Sequence, residues 1–334
     1  MPVYRLTVEM FGRHFRFRLQ VPSIKCGGFG LRRIVSLSAA VVLGIGTSFT
    51  GWAQSGRQSG SERGKQVLHI VVEGDGAGTS YPLKREDFDL YEGGEPQTVE
   101  TLQLDQTPAR IALVVDNTKT LKIGVDQLKT AAHAIINEMY EGDQMMVIGY
   151  DESPYVLQEF TKSLDALDAA AESKFQKSGF PHLFDALEAT LNDAFSSVGS
   201  DKRIVILVSD GYDNGSQTKF EDVLSVLQRE DMVVYVLQVA DRTRNASRLE
   251  GPKPTQAVQR LAEATGGRVF PLDEAPRAAK IITEELRLNW YRAVYTPRGV
   301  DRLVERNILL IRRDEGGPVL RTKAAFPGRK PSSN

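Results

Sequence analysis

Two hydrophobic patterns alternate through the middle of the chain. Short unbroken apolar runs such as Arg110–Val115 and Arg203–Ser209 are typical of strands buried on both faces of a sheet. Between such runs, apolar residues recur at helical spacing, for example over Lys122–Tyr140 and Glu274–Leu288. This alternation over residues 108–288 predicts a Rossmann-like, doubly wound α/β domain with a mostly parallel sheet.

The segments on either side of this domain have strand patterns instead. Residues 65–107 and 289–328 contain short alternating runs separated by turns, the last of them Val319–Phe326. The glycines from Gly74 to Gly78 resemble a dinucleotide-binding loop, but Tyr81-Pro82 stands where that motif needs a helix, so we expect a hairpin turn. Each segment is too short to be stable alone. We therefore expect the two to pack together as a small β-sandwich.

The first 53 residues have the organisation of a secretory leader. Arg32 and Arg33 precede an apolar run from Ile34 to Phe49, and Gly51-Trp52-Ala53 offers small residues before a cleavage point at Gln54. The run is shorter than the roughly 20 apolar residues of a membrane-spanning helix. We therefore predict a protein that is secreted or periplasmic, and the sequence leaves open an uncleaved leader that tethers it. Residues 54–64 are polar, which predicts a flexible lead-in, and we expect residues 329–334 to form a short tail.

Charge disfavours one class of partner, and the cysteine content disfavours one class of chemistry. Residues 1–53 hold seven of the 42 Lys and Arg residues but a single one of the 43 acids, so the rest of the chain is net acidic. An acidic body disfavours binding to nucleic acid, whose phosphates attract clustered Lys and Arg. The single cysteine, Cys26, precedes the apolar run, so the exported body is predicted to lack disulfides and thiol chemistry.

Polar residues directly follow two predicted strands. Asp116 ends the first strand and precedes Thr118 and Thr120, and Asp210 follows Ser209 at the end of a later strand. Because ligands bind at the carboxyl ends of strands in open α/β sheets, these side chains are candidates for one metal site. Oxygen-only ligands suit Mg²⁺, with Mn²⁺ or Ca²⁺ as substitutes. The residues alone also allow helix capping by Asp116 and Thr118, and a turn role for Asp210.

These motifs resemble the von Willebrand factor type A (VWA) domain and its metal-ion-dependent adhesion site. The stretch from Asp116 to Thr120 is similar to the family's Asp-x-Ser-x-Ser element, and Ser209-Asp210-Gly211 to its Ser/Thr-Asp-Gly turn. Ser178–Ala186 resembles Gly-Gly-Thr-x-Leu-Tyr-Asp-Ala, but the family's metal-binding Thr falls on Pro181, which has no side-chain oxygen. The flanks, at Glu86–Gln97 and Asn289–Pro297, resemble elements of secreted bacterial "VWFA-related" proteins.

The resemblance implies an adhesion-type binding protein, whose partner is a protein or a cell-envelope component that presents an Asp or Glu carboxylate to the metal. With Pro181 in place of Thr, the sequence leaves open whether metal binds. A metal-independent structural envelope protein is an alternative, and a metal-dependent hydrolase is less favoured. We predict no enzyme and no nucleotide cofactor, because catalytic triad spacing, a Gly-x-Ser-x-Gly elbow and a Walker loop are not found. His133 is expected on a solvated helix face, and His69 in a structural role.

Overall fold

The computed structural model describes residues 7–11, 14–18, 64–195, 202–240 and 252–328. In the first of two compact units, Met1–Arg57, strands β1 (Thr7–Phe11) and β2 (His14–Arg18) pair as an antiparallel hairpin. The leader's apolar run, its cleavage point and Cys26 lie outside the described residues. Within the described ranges, no helix has the length and apolar composition needed to cross a bilayer.

The second unit, Gln58–Asn334, contains the α/β domain and both β segments. Its strands are β3 (Gln66–Val72), β4 (Phe88–Glu92), β5 (Glu95–Gln97), β6 (Val99–Leu104), β7 (Ala109–Asp116), β8 (Gln144–Tyr150), β9 (Pro154–Thr161), β10 (Lys202–Ser209), β11 (Val233–Gln238), β12 (Val269–Pro271), β13 (Trp290–Tyr295), β14 (Arg306–Arg312), β15 (Leu320–Arg321) and β16 (Ala325–Phe326). Its helices are α1 (Val125–Asn137), α2 (Leu164–Lys174), α3 (Leu183–Ala189), α4 (Phe220–Arg229), α5 (Pro254–Glu263) and α6 (Ala275–Leu288). Short helical turns lie at Arg85–Asp87, Thr190–Ala194 and Leu272–Glu274.

The central sheet has six strands in the order β12-β11-β10-β7-β8-β9. All neighbours are parallel except β9, which pairs antiparallel with β8 at the edge. Helices α1, α2 and α6 pack on one face, and α3, α4 and α5 pack on the other. The helices on both faces confirm the predicted doubly wound architecture. The physical reason is that each central strand carries Val, Ile and Leu on both of its faces, and both faces must be covered.

The two β segments form a sandwich. One sheet has the order β15-β3-β13-β6 and the other β16-β14-β4-β5. Strand β13 lies between β3 and β6 and pairs antiparallel with both, so the segments before and after the α/β domain share one sheet, as the strand patterns predict. Leu68 and Tyr295 of the first sheet and Leu90, Ile308 and Phe326 of the second belong to one buried apolar cluster.

The prediction of a hairpin turn at Gly74–Gly78 is wrong. Strands β3 and β4 lie in different sheets, and the glycine stretch between them runs along the C-terminal end of α6. The amide of Gly78 donates to Glu284 Oε2 (2.8 Å), and a Cβ added at Gly74 would lie 2.5 Å from Glu284 Oε1. The glycines therefore allow close packing against a helix rather than a tight reversal.

Two further boundaries differ from the sequence patterns. The run Val319–Phe326 is not one strand, because β15 pairs with β3 and β16 pairs with β14, so the segment changes sheet near Thr322. Helix α1 begins only at Val125, with Gly124 at the N-cap. Asp116 and Thr118 therefore do not cap this helix, which removes the structural alternative that their positions allowed.

Candidate metal-binding face at the carboxyl edge of the sheet

Asp116 and Asp210 lie at the point where the strand order of the central sheet reverses. From β7 the chain moves to β8 and β9 on one side, then returns to β10, β11 and β12 on the other. Strands β7 and β10 are parallel neighbours with Val115 opposite Val208, so both aspartates emerge side by side at the same edge. Such switch points leave a crevice for ligands at the carboxyl ends of the strands.

The loop after β7 is held together by its own side chains. Asp116 Oδ1 accepts hydrogen bonds from the Thr118 amide (3.0 Å) and from Thr118 Oγ1 (2.6 Å). Thr118 Oγ1 also lies 3.3 Å from Thr120 Oγ1. Asp116 and Thr118 are fully buried, and Thr120 is half-buried. The loop therefore places one carboxylate and two hydroxyls close together.

The loop after β10 adds the second carboxylate. Asp210 is fully buried, and its Oδ1 accepts a hydrogen bond from the Tyr212 amide (3.0 Å), so it has the turn-ordering role that its position allowed. Ser209 Oγ accepts from the Gly211 amide (2.9 Å) and lies 3.0 Å from Tyr150 OH. Gly211 has φ +82°, and a Cβ there would lie 2.2 Å from the Pro254 carbonyl oxygen. Only glycine fits this turn without displacing α5.

A third segment, residues 177–182, lies beside the first loop. Ser178 forms a parallel β-bridge with Thr118, and its hydroxyl donates to Asp151 Oδ2. Pro181 is buried, and its carbonyl oxygen accepts from the Asn214 amide (2.7 Å) in the loop after β10. The segment therefore lies at the same edge of the sheet as the loops after β7 and β10. Pro181 stands at the position where the resembled motif has its metal-binding Thr.

Sequence reasoning missed the residues behind this edge. Asn117 is fully buried, and its Nδ2 donates to Tyr155 OH (2.5 Å) on β9. Burial, together with the charges of Asp151 and Asp116, raises the pKa of Tyr155 despite the hydrogen bond from Asn117. The sequence shows that residues 150–155 are rich in polar side chains. It does not show that they lie beside Asp116, because that depends on the pairing of β7 with β8, in which Asp116 is opposite Tyr150.

The donor set fits a hard divalent cation. Two buried carboxylates and two hydroxyls offer oxygen only, which suits Mg²⁺, Mn²⁺ or Ca²⁺ better than softer metals. Thr118 Oγ1 directs its proton towards Asp116, and a hydroxyl oxygen can still act as a ligand when its proton is donated elsewhere. Asn117 Oδ1 is buried without a hydrogen-bond partner among the described residues, as expected where water completes a polar site. The described residues contain no metal-site cluster of three or more His, Cys, Asp or Glu side chains.

Two histidines have defined partners in the described structure. His133 is not on a freely solvated face, because its two ring nitrogens lie 2.6 Å from Asp168 Oδ1 and 2.7 Å from Glu172 Oε1 on α2. His69 Nδ1 lies 2.6 Å from Asp231 Oδ2, and its ring packs against Trp290. The first pair of contacts joins α1 to α2, and the second joins β3 to Asp231, just before β11.

Comparison with known proteins places the α/β domain in context. The protein-family model of the von Willebrand factor type A domain matches residues 111–284 of the chain. A von Willebrand factor type A structure from Catenulispora acidiphila is similar at 12% identity over 74% of this chain and 75% of that one, with a TM-score of 0.45. An aerotolerance-related membrane protein from Bacteroides fragilis is similar at 14% identity, over 53% and 98%, with a TM-score of 0.43.

A third similar structure is that of proximal thread matrix protein 1 from the mussel byssus, at 17% identity. That structure has zinc in its metal-ion-dependent adhesion site (MIDAS) motif. That match covers 58% of this chain and 48% of the mussel protein, with a TM-score of 0.44. No curated protein matches the chain.

Proposed function

The chain belongs to the von Willebrand factor type A family, whose model matches just over half of it, and we propose that it is a cation-dependent protein-binding module. VWA domains mediate protein–protein interactions. In this chain the partner docks over the loops after β7 and β10 and the segment before α3. The supporting observation is the pair of fully buried aspartates, Asp116 and Asp210, at the switch point of the sheet.

Four side chains would hold the cation: Asp116, Thr118, Thr120 and Asp210. When bound, a divalent cation such as Mg²⁺ supplies an electrophilic centre for a carboxylate of the partner. Asp116 orients the Thr118 hydroxyl, and the amide of Tyr212 orients Asp210. Pro181 has no side-chain oxygen, so a bound cation would keep a water in place of that ligand and would be held more weakly than at a site with a full set of protein oxygens.

The rim of the site offers further contacts to a partner. Phe180 is 42% exposed, and Lys119 Nζ lies 4.6 Å from the centre of its ring. An exposed aromatic residue with a neighbouring cation suits an apolar side chain next to an acidic residue. We propose that the partner presents an acidic segment of this kind, and that the N-terminal leader exports the protein to the envelope or beyond it.

Calorimetry on the full chain tests the cation site. Protein stripped with EDTA is titrated with Mg²⁺, Mn²⁺ and Ca²⁺. We expect saturable binding by the wild type and its loss in Asp116→Ala, which removes one of two carboxylates. Asp126→Ala is the matched control, because Asp126 is exposed at the start of α1. The absence of saturable wild-type binding, or binding retained by Asp116→Ala, would contradict the proposed site.

The partner's chemistry is tested with the same protein loaded with Mn²⁺. A short peptide that is amidated at its C-terminus and carries one Asp as its only carboxylate should displace water from the ion and lower the relaxation rate of water protons. The same peptide with Asn in place of Asp is the control and should leave the rate unchanged. Equal effects of the two peptides would argue against recognition of a carboxylate.

A further inference from the structure

Lys177 connects the segment before α3 to the metal-binding loop after β7. Its Nζ donates to the carbonyl oxygens of Leu121 and Ile123, each at 2.5 Å. Lys177 is half-buried, and Leu121 is almost fully buried. These carbonyls lie at the far end of the loop, just before α1 begins at Val125. A single ammonium group, which has three donors, therefore satisfies two backbone acceptors of this loop.

The next residue connects the near end of the same loop. The Lys119 amide donates to the Ser178 carbonyl oxygen (2.9 Å), and the Ser178 amide donates to the Asn117 carbonyl oxygen (3.0 Å). Two adjacent residues thus fix both ends of the stretch 117–123. Thr118 and Thr120 lie between these two attachments, with their hydroxyl oxygens 3.3 Å apart.

We infer that Lys177 is a positioning residue for the cation site: it holds the loop after β7 so that the hydroxyls of Thr118 and Thr120 converge before a cation arrives. This inference rests on the proposed function. A loop that is free to move must lose conformational freedom when it coordinates an ion, and a pre-ordered loop avoids that loss. The segment that provides a direct ligand in the family therefore acts in this chain through the loop it holds.

The charge of Lys177 acts in the opposite direction, because an ammonium group repels a nearby cation. Replacing Lys177 therefore removes both a charge that repels the cation and the two hydrogen bonds that hold the loop. Variants of matched charge separate the two effects. Lys177→Met removes charge and hydrogen bonds, and Lys177→Arg keeps the charge and several donors. Lys122→Met removes a positive charge from an exposed position in the same loop.

Hydrogen exchange of the metal-free full chain tests the bracing directly. We expect amides of residues 118–124 to exchange about tenfold faster in Lys177→Met than in the wild type, because the loop opens more often. Lys177→Arg should restore most of the protection, and Lys122→Met, which leaves both Lys177 hydrogen bonds in place, should change it less than Lys177→Met does. If Lys177→Met fails to fold, Lys177→Gln, which keeps a polar side chain, replaces it. Unchanged exchange in the variant would overturn the inference.

Calorimetric titration with Mn²⁺ tests the consequence for the site. We expect about tenfold weaker binding by Lys177→Met, the scale at which residues behind metal ligands act. Lys177→Arg should bind nearly as the wild type does, and Lys122→Met should bind equally or more tightly. Faster exchange with unchanged or tighter binding by Lys177→Met would refute a positioning role. If the wild type binds no cation, the proposed function fails, while the exchange experiment still decides whether Lys177 braces the loop.

Discussion

Buried carboxylates in two regions of this molecule are stabilised in different ways. Where the sandwich meets the α/β domain, Glu285 is fully buried, lies 2.5 Å from Arg321 Nη2 and accepts a hydrogen bond from Tyr235 OH (2.8 Å). At the carboxyl edge of the sheet, Asp116 and Asp210 accept hydrogen bonds from amides and a hydroxyl of their own loops. The Glu285 cluster, which also includes Arg268 and Gly74, neutralises its carboxylate with side chains from distant segments, whereas these hydrogen bonds to each edge carboxylate come from its own loop.

The difference shows what each region is suited to do. Around Glu285 the balancing cations are arginines of the chain itself, so the charge is neutralised when the protein folds. Asp231, whose side chain is 22% exposed, is a second but less buried example: although desolvation opposes it, the charges of His69 and Lys323 hold its pKa well below the usual range. At the edge, the loops after β7 and β10 carry carboxylate and hydroxyl oxygens at neighbouring strand ends, and we propose that an added cation uses them.

The largest expected effect comes from breaking the Glu285 cluster. Glu285→Ala leaves Arg321 buried near Tyr235 without its nearest carboxylate, with only Glu73 at 3.8 Å, and we expect a loss of about 3–5 kcal/mol in the free energy of unfolding. Urea denaturation of the full chain measures this loss. Glu274→Ala is the control, because its ion pair with Arg277 is exposed and should contribute less than about 1 kcal/mol. Similar losses in both variants would show that the cluster does not join the two layers.

Restoring the ligand that the family provides sharpens the comparison at the edge. Pro181→Thr adds a hydroxyl beside the loop after β10, and we expect Mg²⁺ to bind about tenfold more tightly, which corresponds to about 1.4 kcal/mol. Pro181→Val is the matched control, because Val has the shape of Thr without its oxygen. Calorimetry compares the two variants with the wild type. Equal affinities of the Thr and Val variants would mean that residue 181 does not face the cation.

The sequence patterns predicted the layers of the fold better than the paths between them. The central strands are unbroken runs rich in Val and Ile, so both of their faces are apolar. This pattern alone predicts that helices cover both faces of the sheet. The path of Gly74–Gly78 was predicted wrongly, because a glycine needed for packing against α6 looks the same in sequence as a glycine in a turn. Val319–Phe326 was predicted as one strand because its change of sheet depends on contacts with β3 and β14.

The candidate site divides in the same way. Asp116 ends β7 and Asp210 directly follows β10, with Thr118 and Thr120 close behind Asp116, so strand ends and spacing were enough to nominate these four residues. Lys177 and Tyr155 were missed, because they contact the loop only after α2 and β9 have packed. A lysine between two helices has no sequence pattern that distinguishes a solvent-exposed side chain from one that holds two carbonyls.

The smallest expected effect concerns His133, where helices α1 and α2 repeat the arrangement of the Glu285 cluster at a more exposed site. Both ring nitrogens face carboxylates, of Asp168 and Glu172, so only the protonated ring can donate to both. Burial lowers the pKa of His133, but the two carboxylates outweigh it and the pKa is raised above its usual 6.5. A raised pKa means that the stabilisation is complete below the unfolded value and is lost as pH rises through the folded value.

We therefore expect the wild type to lose up to about 1 kcal/mol of unfolding free energy between pH 6 and pH 9 that His133→Gln does not lose. The effect is small because Glu172 is 59% exposed and solvent screens the pair. Urea denaturation at both pH values measures it, and Asp168→Asn should lower the pKa of His133 in an NMR titration. Parallel pH profiles of the wild type and His133→Gln would show that an exposed clamp of this kind adds nothing to stability. Charge pairing would then matter in this protein only where water is excluded, as it is around Glu285.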